Sequence, residues 1–182
     1  LFYIKVFISY LNLDYSLLKK FEIGRHGAMD DIFFALKIFS KHIRFFNYKK
    51  NGTILEIGPG DSSITYDISK SLGFEKVYLV DKGVYFNPQK KNNYQNLIKK
   101  HFEKLILKNN IKINSKCKLH YFTNGLKSIK TVPESTVDFL FSNSVLQHIY
   151  LDEIDAYIKE LSRVTKKNSI QSHRIDLKDM ID

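Results

Sequence analysis

Leu55-Glu56-Ile57-Gly58-Pro59-Gly60-Asp61 is the segment that says most about how this chain folds. It ends a short apolar run and passes directly into two glycines, which let the backbone turn sharply and approach a ligand closely. Three apolar residues at helical spacing follow, Ile64, Ile68 and Leu72. Gly73 then suits the end of a helix. The segment therefore predicts a strand, a glycine turn and a helix.

Strand-like segments alternate with helix-like segments along the rest of the chain. Further strands are predicted at Lys76 to Val80, Lys118 to Phe122, Val137 to Phe141 and Ile170 to Ile175. Strands that alternate with helices form a parallel sheet covered on both faces. The predicted fold class is α/β, with a Rossmann-like, doubly wound and mostly parallel sheet.

Three further helices are predicted from apolar residues at helical spacing. One lies ahead of the core fold, and acids at its start complement the helix dipole. The second follows Pro88, and the third begins at a capping Asp152. Their apolar stripes are Ile32, Leu36, Phe39 and Ile43 in the first, Tyr94, Leu97, Ile98, His101 and Leu105 in the second, and Ile154, Ile158 and Leu161 in the third.

The length of 182 residues suits one hydrophobic core. We divide the chain into an N-terminal helical segment, residues 1–50, and a core, residues 51–182. His26 lies between glycines and could belong to a lid over the site or to a simple turn, and the sequence leaves both open. Residues 1–13 resemble a signal peptide in apolarity, but Lys5 and Asn12 interrupt them and no small-residue cleavage site follows.

Two carboxylates mark the ligand-binding edge. In open α/β sheets, ligands bind beyond the carboxyl ends of the strands. Glu56 precedes the glycines where a dinucleotide-binding turn has an apolar residue, so it suits a ligand with a positive group. Asp81 ends the next strand, where a carboxylate can accept hydrogen bonds from two ribose hydroxyls. The pair indicates a nucleoside ligand that carries a cation.

The glycine segment resembles the first motif of the class I S-adenosylmethionine-dependent methyltransferases. Val137 to Ile149 resembles that family's fourth-strand motif, and Leu161 to Val164 resembles the helix before its fifth strand. The resemblance covers about residues 50 to 177. Gly24 to Asp30 and Ser172 to Asp179 are similar to a bacterial subgroup of uncharacterised methyltransferases.

The resemblance implies roles for individual residues. Glu56, Gly58 and Gly60 would line the methionine portion of S-adenosylmethionine, Asp81 would hold its ribose, and Asn124 would lie near its adenine. Many members have an aspartate where this chain has Asn124. Asp61 and Ser142 also follow predicted strands and are assigned to the same cofactor site.

A general base would help transfer to a hydroxyl or an amine, and histidine suits neutral pH. His148 follows the fourth strand and His173 lies near the end of the fifth, so both are catalytic candidates. For each, the sequence favours an ordinary packed or surface histidine over a catalytic one. His173, Asp176 and Asp179 match no strong metal site, and we predict no metal.

Two features leave alternatives open. Lys166-Lys167-Asn168-Ser169 replaces the usual Pro-Gly turn before the fifth strand, and the sequence closes before the family's sixth and seventh strands. We therefore expect a C-terminally truncated fragment, and an inactive cofactor-binding remnant or interaction module is one alternative. An NAD-dependent oxidoreductase is the other, although Glu56 and the missing third glycine argue against it.

The charge is +10, from 29 Lys and Arg against 19 Asp and Glu, and it favours an RNA acceptor weakly. The lysines occur as pairs, such as Lys99-Lys100, and fit a compositional bias as well as a binding surface. No cluster of aromatic and basic residues resembles an RNA module. Similarity to the bacterial subgroup favours a small molecule or a glycan as the acceptor.

No apolar stretch reaches the roughly 20 residues of a membrane span. Cys117 is the single cysteine, so it forms no internal disulfide. We predict a cytoplasmic protein.

Overall fold

The structure is a computed structural model that describes residues 29–49, 51–87 and 93–177. The predicted turn at His26, the apolar run 1–13, Pro88 and Asp179 lie outside these ranges. The strands are β1 Thr53–Ile57, β2 Lys76–Val80, β3 Lys118–Phe122, β4 Val137–Asn143 and β5 Thr165–Arg174. All neighbouring pairs are parallel, and the order is β3-β2-β1-β4-β5. The predicted parallel α/β sheet is confirmed.

Helices cover both faces of this sheet. They are α1 Ile32–Ile43, α2 Ile64–Ser71, α3 Gln95–His101, α4 Glu103–Asn109, α5 Gly125–Ile129 and α6 Leu151–Val164, with a 3-10 turn at Leu146–His148. Successive strand residues point to opposite faces. Phe139 and Phe141 therefore pack in one core with α1 and α2, while Leu55 and Leu140 pack in a second core with α5 and α6. No helix in the described ranges is long and apolar enough to cross a membrane.

Helix α1 is part of the core around the sheet. The Asp31 carboxylate caps it by accepting a hydrogen bond from the backbone N–H of Phe33 at 2.8 Å. Phe39 is fully buried, and its ring meets the rings of Phe102 and Phe141 edge-on at 5.9 and 5.7 Å. The described part of the predicted N-terminal segment thus packs on the sheet, and the division after residue 50 stays a prediction.

We expect Phe39→Ala to lower the free energy of unfolding by about 3–5 kcal/mol, the usual cost of removing a buried phenylalanine ring. Phe33 is 69% exposed on the same helix, so Phe33→Ala is the matched control and should change stability by less than about 0.5 kcal/mol. Urea unfolding followed by circular dichroism measures both. Equal effects would show that α1 does not belong to the core.

The single helix predicted from Tyr94 to Leu105 is wrong. The structure has two helices, α3 and α4, separated at Phe102. The backbone of Phe102, with φ −102° and ψ 18°, leaves helical geometry, and its side chain is buried against α1. Ile98 is fully buried as predicted, whereas Leu97 is 39% exposed. Packing against a distant helix has overridden the local periodicity.

Two predictions near the fifth strand also need correction. Helix α6 begins at Leu151 with Tyr150 as its N-cap, so Asp152 lies in the first turn rather than at the cap. Ile158, which was predicted on the apolar stripe of this helix, is 56% exposed.

Residues 166–169 belong to β5, which starts directly after α6. Asn168 has a φ of 65°, and the pairing of β4 with β5 shifts between residues 137 and 139, so a bulge replaces the expected turn.

Candidate functional site

The glycine turn lies at the carboxyl edge of the sheet, directly after β1. Gly58 and Gly60 have φ values of 71° and 65°, a left-handed conformation that favours glycine. The backbone N–H of Gly58 donates to the carbonyl of Val80 at 2.8 Å. A Cβ atom on Gly58 would lie 2.3 Å from Cγ2 of Val145. Glycine is therefore required here both for conformation and for close packing.

Asp81 ties the glycine turn to the ends of β2 and β3. Its Oδ2 accepts a hydrogen bond from the backbone N–H of Gly60 at 3.0 Å, and its Oδ1 accepts one from Lys82 at 2.7 Å. Its own backbone bonds to Phe122 and Gly125. A carboxylate has about four lone-pair sites and can accept several hydrogen bonds at once. The structure thus brings Asp81 against the glycine turn.

Glu56 is a buried carboxyl beneath this turn. It pairs in register with Leu79 on β2 and Phe141 on β4, and its side chain is only 1% exposed. Its Oε2 accepts no hydrogen bond from any described residue. The pKa of Glu56 is raised to about 8, chiefly by burial; the nearby Thr65 hydroxyl acts to lower it, and the Asp81 carboxylate acts to raise it. A buried polar atom without a partner is costly, so this carboxyl is suited to a ligand that brings a donor or a positive charge.

A small cavity of about 70 Å³ adjoins the turn. Asp61 lines it from the turn, and Phe86 and Asn87 line it from the segment after β2. Tyr121 holds that segment in place. Its hydroxyl donates to the carbonyl of Gly83 at 3.2 Å, and its ring centroid lies 4.2 Å from that of Phe86. Sequence analysis missed Phe86 and Asn87, although both follow a strand end and that signal could have found them.

Asn124 lies at the start of α5. Its backbone N–H donates to the Ser128 hydroxyl at 3.0 Å, and its side chain is exposed. The next residue, Gly125, donates its N–H to the carbonyl of Asp81 at 2.8 Å. Asn124 therefore lies beside the strand end that carries Asp81, and its amide is free to face a ligand.

Ser142 and His173 form a fixed pair at the ends of β4 and β5. The fully buried Ser142 hydroxyl lies 2.8 Å from His173 Nδ1, and His173 Nε2 lies 3.3 Å from the side-chain oxygen of Gln171. Burial lowers the pKa of His173. Both ring nitrogens are engaged within the chain. This geometry suits a positioning residue better than a base that exchanges protons with a ligand.

A second pair of one histidine and one serine lies on the opposite face of the same strands, and sequence analysis missed it. Nδ1 of His42, from α1, lies 2.8 Å from the Ser172 hydroxyl, and its ring lies 5.0 Å from that of Phe141. Burial, together with the charges of His173 and Arg174, lowers the pKa of His42 to about 4. His42 is therefore neutral at pH 7 and links α1 to β5.

His148 lies in the 3-10 turn after β4, and its side chain is exposed. Its backbone N–H donates to the carbonyl of Val145, the residue that packs on Gly58. The turn that carries His148 is therefore seated on the glycine turn. Within the described ranges, no group of three or more metal-binding side chains could hold a metal ion.

A parallel sheet in the order β3-β2-β1-β4-β5, with an acid and a glycine turn after β1 and a carboxylate after β2, defines a class I S-adenosylmethionine-dependent methyltransferase. The sequence profile of a family described as a methyltransferase domain matches residues 55–171. The chain belongs to this family, whose cofactor is S-adenosylmethionine.

Solved structures resemble the chain in fold at low sequence identity. A methyltransferase from Archaeoglobus fulgidus is 17% identical over 87% of this chain, with a TM-score of 0.48. A phosphoethanolamine N-methyltransferase from Haemonchus contortus is 18% identical over 74%, with a TM-score of 0.47. An arsenic(III) methyltransferase from Chlamydomonas reinhardtii is 16% identical over 67%, with a TM-score of 0.42. The chain spans 57%, 27% and 38% of these three structures respectively. No curated protein matches the sequence significantly.

Proposed function

We propose that this chain transfers the methyl group of S-adenosylmethionine to an acceptor bound above the glycine turn. The observation that carries the proposal is the buried Glu56 carboxyl, whose Oε2 accepts no hydrogen bond from the described residues. S-adenosylmethionine supplies a methyl group on a sulfonium that its own charge already activates. Its ammonium is the kind of cationic donor that the Glu56 carboxyl is suited to bind.

Several described residues fit the rest of this cofactor. The methionine portion would lie along the turn that the left-handed Gly58 and Gly60 form, and the Asp81 carboxylate would accept hydrogen bonds from the ribose hydroxyls. Asn124 would hold the adenine from the start of α5. Asp61 and Ser142 complete the proposed site at the ends of β1 and β4.

The chain's own contribution to the reaction is to orient and desolvate the nucleophile. Holding two reacting groups in the right geometry supplies roughly 7–11 kcal/mol of the barrier reduction. The exposed His148 is the better placed general base for an acceptor hydroxyl or amine, because its turn rests on Gly58. His173 would instead hold the Ser142 hydroxyl in place.

For the acceptor, we infer a small molecule or a glycan rather than RNA. The turns that flank the proposed site bear Tyr150, which is 66% exposed, and Val84, which is 70% exposed. Lys82 lies over the Tyr150 ring at 5.4 Å. Lys82 is the one lysine or arginine in residues 81–87 and 144–150, whereas a nucleic-acid surface combines several basic side chains with its stacking rings. Methylation assays on RNA and on a panel of hydroxyl and amine acceptors would test this inference about the acceptor. Methylation of RNA would contradict it.

We expect S-adenosylmethionine binding at pH 7 to release close to one proton. Glu56 has a pKa of about 8 in the free protein, so it is mostly protonated at pH 7 and must ionise to pair with a cation. Calorimetric titration in two buffers of different ionisation enthalpy measures the released proton. Glu56→Gln should remove the buffer dependence. Binding without proton release by the wild type would show that Glu56 does not contact the cationic end.

A further inference from the structure

Helices α3 and α4 each expose one large apolar side chain. On α4, Leu105 and Ile106 are half-buried against the core, whereas Leu107 is exposed. Leu107 is 73% exposed, and Leu97 on α3 is 39% exposed. A helix with an apolar stripe usually turns that stripe toward a core. This surface therefore has the character of a contact site.

A groove of about 260 Å³ lies next to these side chains. Its apolar lining comes from Ile106, Leu107, Ile111 and Ile113. The polar residues that line it are Ser71, Lys99, Lys100 and Glu103. Residues 111 and 113 precede β3, so the groove lies toward the amino ends of the strands. The glycine turn lies at their carboxyl ends, so the groove is separate from the proposed cofactor site.

The surroundings of this groove are strongly basic. Between residues 97 and 118 the sequence has seven lysines and one acid, Glu103, and all seven lysines are exposed. None of the seven forms an ion pair with a described residue. Lys104 and Lys108 are one helical turn apart on α4, and Leu107 lies between them. The sequence shows these lysines as scattered pairs and singles, and the fold brings two of them, Lys99 and Lys100, to the apolar groove.

We propose that this groove and its lysines, the α3–α4 surface, dock the protein on an anionic membrane. Basic side chains around an exposed aliphatic face bind acidic headgroups while the aliphatic groups enter the acyl boundary. The lining of the groove has no aromatic ring in the described structure, and nucleic-acid surfaces stack bases on such rings. The positive charge of this surface and the aliphatic lining of the groove together favour an anionic lipid over RNA as the binding partner. Docked in this way, the proposed cofactor site would face away from the membrane.

Co-sedimentation of the whole chain with vesicles tests the proposal. Vesicles of phosphatidylglycerol and phosphatidylcholine in equal parts should bind the protein, and pure phosphatidylcholine vesicles should not. Lys100→Gln with Lys104→Gln should weaken binding about 25-fold, since each lysine near an anionic surface contributes about a factor of five. The matched control neutralises two exposed lysines elsewhere, Lys130→Gln with Lys159→Gln, and should change binding much less.

A second variant separates lipid contact from charge alone. Leu107→Ser should weaken vesicle binding about 10-fold and leave the melting temperature unchanged, because the side chain is mostly exposed. A lower melting temperature would show that this face is buried within the chain and would overturn the proposal. Binding to a single-stranded RNA but not to anionic vesicles would overturn it too, as would equal losses in the lysine variant and its control.

Discussion

Glu56→Gln is expected to raise the dissociation constant for S-adenosylmethionine by about 100-fold or more. Removing one partner of a buried charged pair typically costs about 3–5 kcal/mol, and the glutamine amide offers no charge to the cofactor ammonium. Calorimetry measures the change. Glu75 is exposed, so Glu75→Gln is a matched control that should leave affinity unaltered.

The same substitution is expected to stabilise the protein at alkaline pH. The folded-state pKa of Glu56 is about 8, against an ordinary value of 4.5, so between these values the folded chain retains a proton that the unfolded chain has lost. The contribution of Glu56 to stability therefore falls as pH rises from about 4.5 to about 8. Each pKa unit corresponds to about 1.4 kcal/mol, so the loss amounts to a few kcal/mol. Glutamine does not ionise, so the variant does not lose this stability as the pH rises.

Melting curves at pH 5 and pH 8 test this second effect. Wild type and Glu56→Gln should differ little at pH 5, and at pH 8 the variant should melt several degrees higher. Glu75→Gln should follow the wild type at both values. If Glu56→Gln keeps the wild-type dependence on pH, the buried carboxyl is ionised in the free protein and the account of its role is wrong.

Gly58→Ala is expected to destabilise the protein by about 3 kcal/mol and to remove S-adenosylmethionine binding. A left-handed conformation costs an alanine about 1–2 kcal/mol, and the new Cβ would overlap Cγ2 of Val145 at 2.3 Å. Relief of that overlap would have to move the turn before His148 or the glycine turn itself. Either shift would disturb the surface on which the cofactor is proposed to lie.

A double-mutant cycle with Val145→Ala separates the two costs of Gly58→Ala. Removing the Val145 methyl groups relieves the overlap but not the left-handed backbone, so the double variant should regain about 1 kcal/mol or more relative to additivity. Urea unfolding of the four proteins gives the coupling energy. Additive effects would mean that Val145 does not rest on Gly58, and the proximity of the His148 turn to the site would lose its support.

Local patterns were sufficient to predict the parallel sheet and the two carboxylates at its edge. The strand ending at Ile57 and the glycines after it are contiguous in sequence, and Asp81 follows the next strand. Since parallel strands carry their carboxyl ends to one edge, no long-range information was needed to bring Glu56 and Asp81 together. The roles assigned to Asn124, Asp61 and Ser142 remain predictions.

Features that depend on contacts between distant segments could not be predicted in the same way. Phe102 interrupts the helical pattern because it packs on α1, more than sixty residues earlier in the chain. His42 meets Ser172 across 130 residues. The bulge at Asn168 lies where the pairing of β5 with β4 shifts register. In each case the residue that determines the local structure is far away in sequence. The spacing of apolar residues along the chain therefore cannot reveal it.

Calorimetric titration with S-adenosylmethionine and with NAD tests the central claim most directly, using the wild type, Glu56→Ala and Asp81→Ala. The account predicts that the wild type binds S-adenosylmethionine and not NAD, and that both substitutions weaken this binding while the folded circular-dichroism spectrum is retained. Binding of NAD, or no binding of S-adenosylmethionine by the folded wild type, would contradict it.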